Sequence, residues 1–377
     1  MAPLSPQRIL YVDCAPFTGG AQESLFTLME GAAERGWEPL LVGADRSEHG
    51  LLERCRRGGW RVYEVRTSHW PASPLGAVRL GLERLAAGRV IRRAIAEATP
   101  ALIHANGLRS GLLLPGGVWA AAPVVLHDRD LRAPRLALSW LARRAQPILA
   151  ISHCVAAKWR ERVPAERLHV IPNGFDLERL AATPAAAGLA LPGVRVWAAL
   201  VADLEPWKRH DVFLEAVAQG RAGAELGALV VGRVRTPAAS RYLQRLRELA
   251  ATLGIAARVR FVTDAASALP WLAAADIVVS AAVTEPFGRT IVEALALGRP
   301  VVAANAGGPG EILAGCPAAT LTDATAAALA AGLRGWLDEA RRAGAASEAR
   351  AWASRYDRTA LLDQVCDLYR ATLERSR

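Results

Sequence analysis

Residues 276–311 read DIVVSAAVTEPFGRTIVEALALGRPVVAANAGGPGE, and this stretch decides the fold. It opens with a β-branched run at 277–279, continues with apolar residues at helical spacing over 288–297, and returns to an extended pattern at Pro300. The pattern predicts a strand, a helix and a second, parallel strand, which together form one βαβ unit. Ligands of open α/β sheets bind at the carboxyl ends of the strands, so the loops of this unit are candidate binding loops.

Two acidic residues lie close to the predicted start of the helix. Glu285 lies in the loop and Glu293 lies within the helix. The start of a helix offers free backbone N–H groups and the positive end of the helix dipole, which favour an anion. A phosphate bound there, with hydroxyl groups beside it, would satisfy the amides and both acids, whereas two unrelated surface acids would need no ligand. We predict a ligand site, and the residues that open the helix are Phe287, Gly288, Arg289 and Thr290.

The stretch EPFGRTIVEALALGRPVVAANAGGPGEI resembles the nucleotide-sugar signature of the retaining glycosyltransferases of family 4. The mark of that family is Glu-x7-Glu, which Glu285 and Glu293 match. The resemblance implies the GT-B fold, an α/β architecture in which two Rossmann-like, doubly wound parallel-sheet domains face each other across a cleft. It also implies that Glu285 accepts hydrogen bonds from hydroxyls of the donor sugar and that Glu293 accepts them from the ribose.

The composition fits a chain of two ordinary globular domains. Of its 377 residues, 52% are hydrophobic and 22% are charged, so a packed soluble protein is expected and disorder is not. The five cysteines lie far apart without ligand spacing, which argues against disulfides and zinc and favours a reducing compartment. Residues 1–15 hold no long apolar core, and no apolar run approaches ~18 residues, so a cytoplasmic protein is expected.

The net charge of +10 is concentrated in one part of the chain. Residues 79–167 contain 15 Arg or Lys and 6 Asp or Glu, a difference of +9. Such a segment attracts anionic lipid headgroups, a phosphate-bearing acceptor or nucleic acid, although an ordinary solvated surface explains it equally well. No nucleic-acid-binding motif accompanies it, so nucleic acid is not expected as a partner. Peripheral contact with the anionic inner face of a membrane is an open alternative.

Strand and helix patterns alternate through the first half of the chain. The predicted strands are 8–12, 39–42, 61–65, 101–104, 124–126 and 148–151, and the predicted helices include 22–34 and 80–98. This alternation predicts a doubly wound parallel sheet. The first strand leads into Gly19 and Gly20, a pair that lets the backbone approach a ligand closely. The resemblance implies that this pair lies across the cleft from the sugar diphosphate.

Two of the predicted strands end in histidine. A histidine at the carboxyl end of a strand is either a hydrogen-bonded structural group or a site residue, and the spacing leaves both readings open for His104 and His127. The resemblance implies that the imidazole of His127 contacts the donor sugar near the reacting carbon and that His104 lines the cleft. Ser152, which follows the next strand, is expected to cap a helix.

The chain is expected to divide into three segments. Residues 1–178 form the predicted N-terminal Rossmann-like domain on the acceptor side, which an Asn-Gly turn at 173–174 closes. Residues 179–355 form the predicted nucleotide-sugar-binding domain, which begins with an Ala/Pro/Gly-rich linker. Residues 356–377 are expected to form a last helix that crosses back to the first domain, as the resemblance implies.

The segment after the first strand of the second domain resembles the phosphate clamp of the family. A helix is predicted to begin near Lys208, whose ammonium group is expected to meet the diphosphate. The family usually has an arginine five residues earlier, where this chain has Asp203, so one of two expected positive charges is missing. Arg209 is a candidate replacement. The resemblance also implies that the base binds in the loop that starts at Phe261, mostly through backbone atoms.

No motif specifies the acceptor. The resemblance assigns acceptor recognition to the loops at 45–75 and 105–140. Trp70, Trp119 and Trp140 are candidate stacking surfaces in these loops, although packing in the core or at its rim explains them as well.

The sequence and the resemblance together predict a retaining glycosyltransferase. It would move a hexose-type sugar from a UDP- or GDP-linked donor to an acceptor hydroxyl in envelope polysaccharide or glycolipid assembly. The expected catalytic residues are His127, Lys208 and Glu285. Lys208 and the start of the helix would neutralise the leaving diphosphate, so neither a metal nor a cofactor is expected. The alternatives are a phosphorylase or epimerase of the same fold, an impaired nucleotide-sugar-binding protein, and an enzyme that glycosylates a soluble natural product.

Overall fold

The structure is a computed structural model of the chain, and it describes residues 7–68, 74–220 and 225–376. Its contacts divide the chain into two compact units. The first unit consists of Met1–Gly174 together with Arg358–Arg377, and the second consists of Phe175–Asp357.

In the first part of the chain, strands and helices alternate as β1 (Gln7–Asp13), α1 (Gly20–Glu34), β2 (Trp37–Gly43), α2 (Leu51–Arg57), β3 (Arg61–Glu64), α3 (Pro74–Ala98), β4 (Leu102–Asn106), α4 (Gly107–Leu113), α5 (Val118–Ala121), β5 (Val124–Asp128), α6 (Arg135–Ala142), β6 (Ile148–Ala150), α7 (His153–Ala156) and β7 (Leu168–Val170). The second part continues with α8 (Leu177–Ala181), β8 (Val196–Val201), α9 (His210–Gly220), β9 (Leu226–Val231), α10 (Pro237–Thr252), β10 (Val259–Val262), α11 (Leu269–Ala274), β11 (Ile277–Ser280), α12 (Arg289–Ala296), β12 (Val301–Ala304), α13 (Gly307–Leu313), β13 (Ala319–Thr322), α14 (Ala326–Arg334), α15 (Glu339–Ala353) and α16 (Arg358–Glu374).

The first unit is built on a parallel sheet with the strand order β3-β2-β1-β4-β5-β6-β7. Its central strands are buried on both faces, which explains why β1 reads as a continuous apolar run. Leu10 and Val12 of β1 belong to one core cluster, whereas Ile9 and Tyr11 belong to the cluster on the opposite face. Because side chains alternate along a strand, His104 and Tyr11, which are paired in register, point to the same face.

The last helix of the chain completes the first unit. Leu361, Val365 and Tyr369 of α16 are buried in the same cluster as residues of α1 and β1. Gly31 of α1 allows the close approach of Leu362, because a Cβ at Gly31 would lie 2.1 Å from the Leu362 Cδ1. The chain leaves the first unit at Gly174 and returns to it at Arg358. These two residues are in close contact, because a Cβ added to Gly174 would lie 2.8 Å from the Cα of Arg358.

The second unit is also built on a parallel sheet, with the strand order β10-β9-β8-β11-β12-β13. The loops that follow β8 and β9 touch through their backbones. A Cβ at Gly232, just after β9, would lie 1.9 Å from the carbonyl oxygen of Ala202, so only glycine fits there. The two loops therefore form one continuous edge at the carboxyl ends of neighbouring strands.

The predicted fold class is confirmed, since both halves are doubly wound parallel sheets. Two strands were not predicted, β7 and β13, which are short, half-buried strands at the edges of their sheets. Residues 175–178 pack with the second unit rather than the first. The reason is a contact between the ends of that unit, where the Phe175 N–H donates to the Tyr356 carbonyl oxygen at 2.9 Å.

The sequence pattern also predicts helices at 323–342 and 347–377, and both differ from the structure in their boundaries. A break separates α14 from α15, and the Asp338 carboxylate caps α15 by accepting a hydrogen bond from the Arg341 N–H. Helix α15 then runs past residue 347 to Ala353, and a short 3-10 turn separates it from α16. Alanine-rich helices show little periodicity, which hides such breaks from the sequence pattern.

Candidate active site

The loop after β8 carries the predicted phosphate-binding lysine. Pro206–Lys208 form one turn of 3-10 helix, Arg209 has a left-handed backbone with φ 59°, and α9 begins only at His210. The predicted helix is therefore present and begins two residues after Lys208. The left-handed residue ends the short turn and redirects the chain into α9, so Lys208 lies in a loop at the edge of the sheet.

Lys208 and Glu285 form a direct ion pair. The Lys208 ammonium group donates to Oε2 of Glu285, and its Nζ lies 3.9 Å from the centroid of the Trp207 ring. Only 19% of the lysine side chain and 15% of the glutamate side chain are exposed, so solvent screens the pair weakly. An ammonium group has three N–H donors, so Lys208 can bond an anion and Glu285 together. The structure thus brings together the two catalytic residues predicted for the second unit.

The Gly307-Gly308 turn holds the loop that carries Glu285. The Gly308 N–H donates to the Glu285 carbonyl oxygen at 2.9 Å. A Cβ at Gly307 would lie 2.5 Å from that oxygen, and a Cβ at Gly308 would lie 2.4 Å from the Cα of Phe287. The glycines are needed because the start of α13 packs directly on the backbone between β11 and α12.

Helix α12 begins with a left-handed cap at Gly288, whose φ is 99°. Near this end, the Arg289 guanidinium group donates to the Glu293 carboxylate at 3.2 Å and lies 4.7 Å from the centroid of the Phe175 ring. The Glu293 side chain is only 13% exposed. The alternative that Glu293 is an ordinary surface acid is therefore not supported. Thr290 is half-buried in the same turn.

Phe287 has a structural position. Its side chain is 4% exposed, stacks on Phe175 with centroids 6.2 Å apart, and meets the edge of Tyr356 at 5.8 Å. These contacts join the start of α12 to both ends of the second unit. The binding role predicted for Phe287 rests on the backbone N–H groups that open α12, and it stays a prediction.

Asp203, which stands where the family usually has an arginine, binds two arginines of the neighbouring loop. Its Oδ1 accepts from Nε of Arg233 at 2.9 Å, and its Oδ2 accepts from Nε of Arg235 at 3.0 Å. One carboxylate and two guanidinium groups sum to a charge of +1. This edge of the sheet therefore carries a net positive charge, although an aspartate stands where the family usually has an arginine.

The role predicted for Arg209 stays a prediction, whereas the position predicted for Phe261 needs correction. The Arg209 guanidinium group donates to the Ala324 carbonyl oxygen at 2.7 Å, so it is engaged by the main chain before α14. Phe261 lies within β10 rather than in the loop after it, half-buried, and the Arg247 guanidinium group lies 5.9 Å from its ring centroid. The loop that follows β10 begins only at residue 263.

In the first unit, the predicted glycine pair opens α1. Gly19 is the N-cap residue, and its N–H donates to Oε1 of Gln22 at 2.9 Å, while Gly20 is exposed. Gln22 in turn donates from Nε2 to the buried Asp13 carboxylate at 2.9 Å. The Gly19 amide therefore already has a partner in this structure, which the glycine spacing does not indicate. Ser152 caps α7 as predicted, by accepting from the Val155 N–H.

His127 belongs to a buried polar network. Its Nδ1 lies 3.1 Å from Nε2 of His104 and 3.3 Å from Nη2 of Arg129. Burial and the nearby guanidinium charge lower the pKa of His104 to about 3 and hold the pKa of His127 well below its ordinary value. Both imidazoles are therefore neutral at physiological pH.

The rest of the network anchors Arg129. Its Nε donates to Oδ1 of Asn106, and its Nη1 donates to Oδ1 of Asn173, both at 2.6 Å. Asn106 in turn donates to Asp13, the carboxylate that Gln22 also contacts. A buried guanidinium group is thereby linked to a buried carboxylate through amide side chains, which satisfies both charges.

His127 and Arg129 line a pocket that lies within the first unit. Ser24 and Thr27 of α1 and Asn173 supply further polar groups to its wall. Side chains of α16 supply apolar wall, and these residues are Leu361, Leu362 and Val365. The pocket is small, with a volume of about 20 Å³, which is room for about one water molecule.

The sequence analysis missed several members of this site. Arg129 and Asn106 lie in or beside predicted strands without a motif, and Tyr369 is far away in sequence. The proximity of Arg129 to a strand-end histidine two residues earlier was the one available signal. Of the candidate tryptophans, Trp119 and Trp140 pack edge to face with centroids 6.0 Å apart beside the core, and Trp70 lies outside the described residues.

Comparisons with known proteins agree with these two units. Residues 18–179 match the protein family described as Glycosyltransferase Family 4, and residues 196–339 match the family described as Glycosyl transferases group 1. The chain is built from two glycosyltransferase domains. The two matches fall in successive units of the structure, and the second includes Lys208, Glu285 and Glu293.

Curated relatives match mainly over part of the chain. A D-inositol 3-phosphate glycosyltransferase 2 of Catenulispora acidiphila is 36% identical over 151 residues, which are 38% of this chain and 35% of that protein. The match thus spans about a third of the length of this first relative. The lipopolysaccharide core biosynthesis glycosyltransferase LpsE of Rhizobium meliloti is 27% identical over 77% of this chain and 77% of its own length.

Solved glycosyltransferase structures share the whole architecture. The crystal structure of Anabaena Alr3699/HepE in complex with UDP-glucose superposes on this chain with a TM-score of 0.80 at 25% sequence identity. The match covers 97% of this chain and 100% of that protein. The structure of WaaG, a glycosyltransferase involved in lipopolysaccharide biosynthesis, superposes with a TM-score of 0.71 at 16% identity over 96% of this chain and 99% of its own. The fold is therefore that of the GT-B glycosyltransferases.

In the part of the chain that the structure describes, no group of three or more His, Cys, Asp or Glu residues is arranged to hold a metal ion. Over the same residues, no helix combines the length and the apolar character that crossing a bilayer requires.

Proposed function

We propose that this chain transfers a hexose-type sugar from a nucleoside diphosphate sugar to an acceptor hydroxyl and retains the anomeric configuration. The observation that carries the proposal is the Lys208–Glu285 pair, which lies between the loop after β8 and the loop that opens α12. Such a pair offers an ammonium group to a diphosphate and a carboxylate to sugar hydroxyls. A UDP-linked donor is favoured, because Anabaena Alr3699/HepE binds UDP-glucose.

The chemical demand of the reaction explains why a lysine is needed. Breaking the bond to the anomeric carbon leaves a diphosphate whose negative charge grows in the transition state. The Lys208 ammonium group and the first N–H groups of α12 stabilise that charge. The pair formed by Arg233 and Arg235, fixed by Asp203, adds a net positive charge at the same edge of the second sheet.

The pairing of the two carboxylates supports retention without a protein nucleophile. Glu285 is paired with Lys208 and Glu293 with Arg289, so each carboxylate already binds a cation. In a glycosidase, by contrast, the two carboxyl groups flank the reacting bond as acid and nucleophile. We therefore propose same-face attack by the acceptor hydroxyl. The role of His127 at the donor sugar stays a prediction.

The acceptor is proposed to belong to envelope polysaccharide or glycolipid assembly. Relatives named for lipopolysaccharide core biosynthesis support this choice, as do the 15 basic residues of 79–167. Two alternatives remain for an activity assay to test. In one, the acceptor is a soluble natural product; in the other, the protein binds the donor and transfers no sugar.

A thermal-shift screen of nucleoside diphosphates and their sugars tests the proposed function. A cognate donor at 100 times its Kd stabilises the folded chain by about 2.7 kcal/mol, and a noncognate one does not. The Glu293→Gln variant should bind the donor about tenfold more weakly, because it loses a charged acceptor for ribose hydroxyls. Because Glu293→Gln also weakens the ion pair with Arg289, the shift that the donor gives this variant is measured from its own unliganded melting temperature.

Glu248→Gln on α10 is the matched control, because it removes an exposed carboxylate of the same unit and should keep the donor affinity of the original chain. If no nucleotide or nucleotide sugar stabilises the chain, the proposed function is wrong. Equal donor affinities for Glu293→Gln and the control would reject the role of Glu293 alone.

We also propose that α3 docks the first unit on an anionic membrane surface. The buried side of this helix consists of Ala87, Ile91, Ala94 and Ala98. At about 100° per residue, Val78, Leu82 and Leu85 fall on the opposite side, followed on the same line by Arg89 and Arg92. The three apolar residues are 64–65% exposed, and both arginines are exposed. An apolar stripe continued by positive charge is typical of helices that lie in a membrane interface.

Vesicle sedimentation tests this docking surface. The Leu82→Gln/Leu85→Gln variant is expected to bind phosphatidylglycerol vesicles at least about tenfold more weakly than the original chain. Binding should also fall at high salt and be weak on phosphatidylcholine vesicles. Val283→Gln, which removes an exposed apolar side chain of the second unit, should leave binding unchanged. Equal binding of all three proteins would contradict the proposal.

A further inference from the structure

Three buried side chains of the first unit form a continuous hydrogen-bonded chain. The Tyr369 hydroxyl lies 2.8 Å from Nδ1 of His104, and Nε2 of His104 lies 3.1 Å from Nδ1 of His127. Tyr369 and His104 are fully buried, and His127 is 5% exposed. The three residues come from α16, β4 and β5, so the chain connects the last helix of the protein to the pocket beside His127.

Arg129 sets the direction of every hydrogen bond in this chain. A guanidinium group only donates, so Nδ1 of His127, 3.3 Å from Nη2 of Arg129, must present its lone pair. The same lone pair faces Nε2 of His104, which must therefore carry a hydrogen. A neutral imidazole has one N–H, so Nδ1 of His104 is an acceptor. Tyr369 must then be the donor at the far end.

The last consequence concerns the other nitrogen of His127. With Nδ1 as the acceptor, the single hydrogen of the neutral ring lies on Nε2. This nitrogen is buried and has no hydrogen-bond partner among the described residues. A buried donor without an acceptor costs about 1–3 kcal/mol, which a ligand oxygen in the pocket would recover.

We propose that Tyr369 and His104 are positioning residues that hold His127 as its Nε2–H tautomer, so that Nε2–H donates to a hydroxyl oxygen of a sugar ligand. The proposal rests on the proposed function only for the nature of that ligand. It gives the last helix a role at the site beyond packing, since α16 supplies the donor that starts the chain.

The tautomers are measured directly by ¹⁵N NMR of the unliganded chain labelled in histidine. Protonated and unprotonated ring nitrogens have distinct shifts, and the His127→Gln variant identifies the His127 signals by their loss. The expected spectrum shows a protonated Nε2 and an unprotonated Nδ1 for both His127 and His104. A His127 ring with its hydrogen on Nδ1 would overturn the proposal, and this result does not depend on any ligand.

Tyr369→Phe and Tyr11→Phe form a matched pair. Both tyrosines are fully buried, and their rings lie 5.8 Å and 5.2 Å from the His104 ring. Of these two tyrosine hydroxyls, that of Tyr369 bonds to His104, whereas that of Tyr11 interacts with the Tyr369 hydroxyl. Tyr369→Phe should let His104 exchange between its two tautomers, visible as shifted or doubled ring signals, whereas Tyr11→Phe should keep the original pattern.

Binding of the sugar donor gives the second readout. Tyr369→Phe should weaken the binding of the cognate nucleotide sugar by roughly tenfold relative to Tyr11→Phe, with little effect on binding of the nucleoside diphosphate alone. Identical spectra and affinities for the two variants would overturn the positioning role. If no nucleotide sugar binds the original chain, the proposed function fails, and the spectra still decide the tautomer.

Discussion

Replacement of Lys208 by alanine is expected to lower turnover by about 10²-fold or more, with a smaller effect on donor KM. The ammonium group stabilises charge that develops on the diphosphate as the sugar departs, and loss of such a group typically costs about 2.7–4 kcal/mol of transition-state stabilisation. Lys208 is partly buried, so water replaces it poorly. Steady-state kinetics with the cognate donor, together with the rate of slow donor hydrolysis, measure the effect.

The ion pair with Glu285 requires a second variant in this experiment. Lys208→Ala leaves the Glu285 carboxylate, 15% exposed, without its cation, which would repel a diphosphate. Glu285→Gln removes the charge and keeps the shape. If Lys208 acts on the leaving group, the double variant should be slower than Glu285→Gln alone, whereas an effect of the unpaired carboxylate only would make the two equal.

Arg195→Ala is the control for the loss of an ion pair. Arg195 bonds Glu225 in the same unit, but the two side chains are 83% and 42% exposed. Exposed pairs contribute little, so this variant should keep both stability and turnover. A Lys208→Ala enzyme with unchanged turnover would reject the role of Lys208.

Gly308→Ala is expected to destabilise the chain by about 3 kcal/mol and to abolish tight donor binding. The added Cβ would lie 2.4 Å from both the Cα and the carbonyl oxygen of Phe287, and 2.6 Å from its carbonyl carbon. These are backbone atoms that cannot rotate away, so α13 must shift from the loop between β11 and α12. That shift would displace Glu285, whose carbonyl oxygen accepts from the Gly308 N–H.

Denaturant unfolding and donor calorimetry on the same samples check this prediction. Gly344→Ala is the control, because a Cβ there meets nothing within 4 Å and the residue lies inside α15. It should be neutral or slightly stabilising, since alanine favours a helix over glycine by about 1 kcal/mol. Normal donor affinity in Gly308→Ala would show that this close backbone contact does not position the site.

Much of the second unit could be predicted because its determinants are local. The alternation of β-branched runs with helical spacing specifies β11, α12 and β12, and the glycines mark the turn into α13. Glu285 and Lys208 are 77 residues apart, and only the resemblance placed them at one ligand. The structure explains their proximity through neighbouring strands, since β8 pairs with β11.

Contacts across long sequence distances account for what was missed. Tyr369 hydrogen-bonds His104, which lies 265 residues away in sequence. The apolar periodicity of α16 predicts that Tyr369 is buried, but it does not show whether its hydroxyl forms a hydrogen bond. The partners of Asp203 lie in the loop after the neighbouring strand β9, so the positive charge seemed absent when the segment was considered alone. The left-handed Arg209 was also beyond prediction, because few residues other than glycine adopt that conformation.

The return of the chain to its first unit has a consequence for synthesis on the ribosome. Proteins emerge from the amino end, and early domains usually fold first. Here the first unit lacks α16 until residues 358–374 are made, and α16 buries Leu361, Val365 and Tyr369 in its core. The intervening unit, continuous from Phe175 to Asp357, is synthesised before α16. The order of maturation is therefore reversed, and the nascent chain exposes apolar residues of the first unit until α16 has emerged.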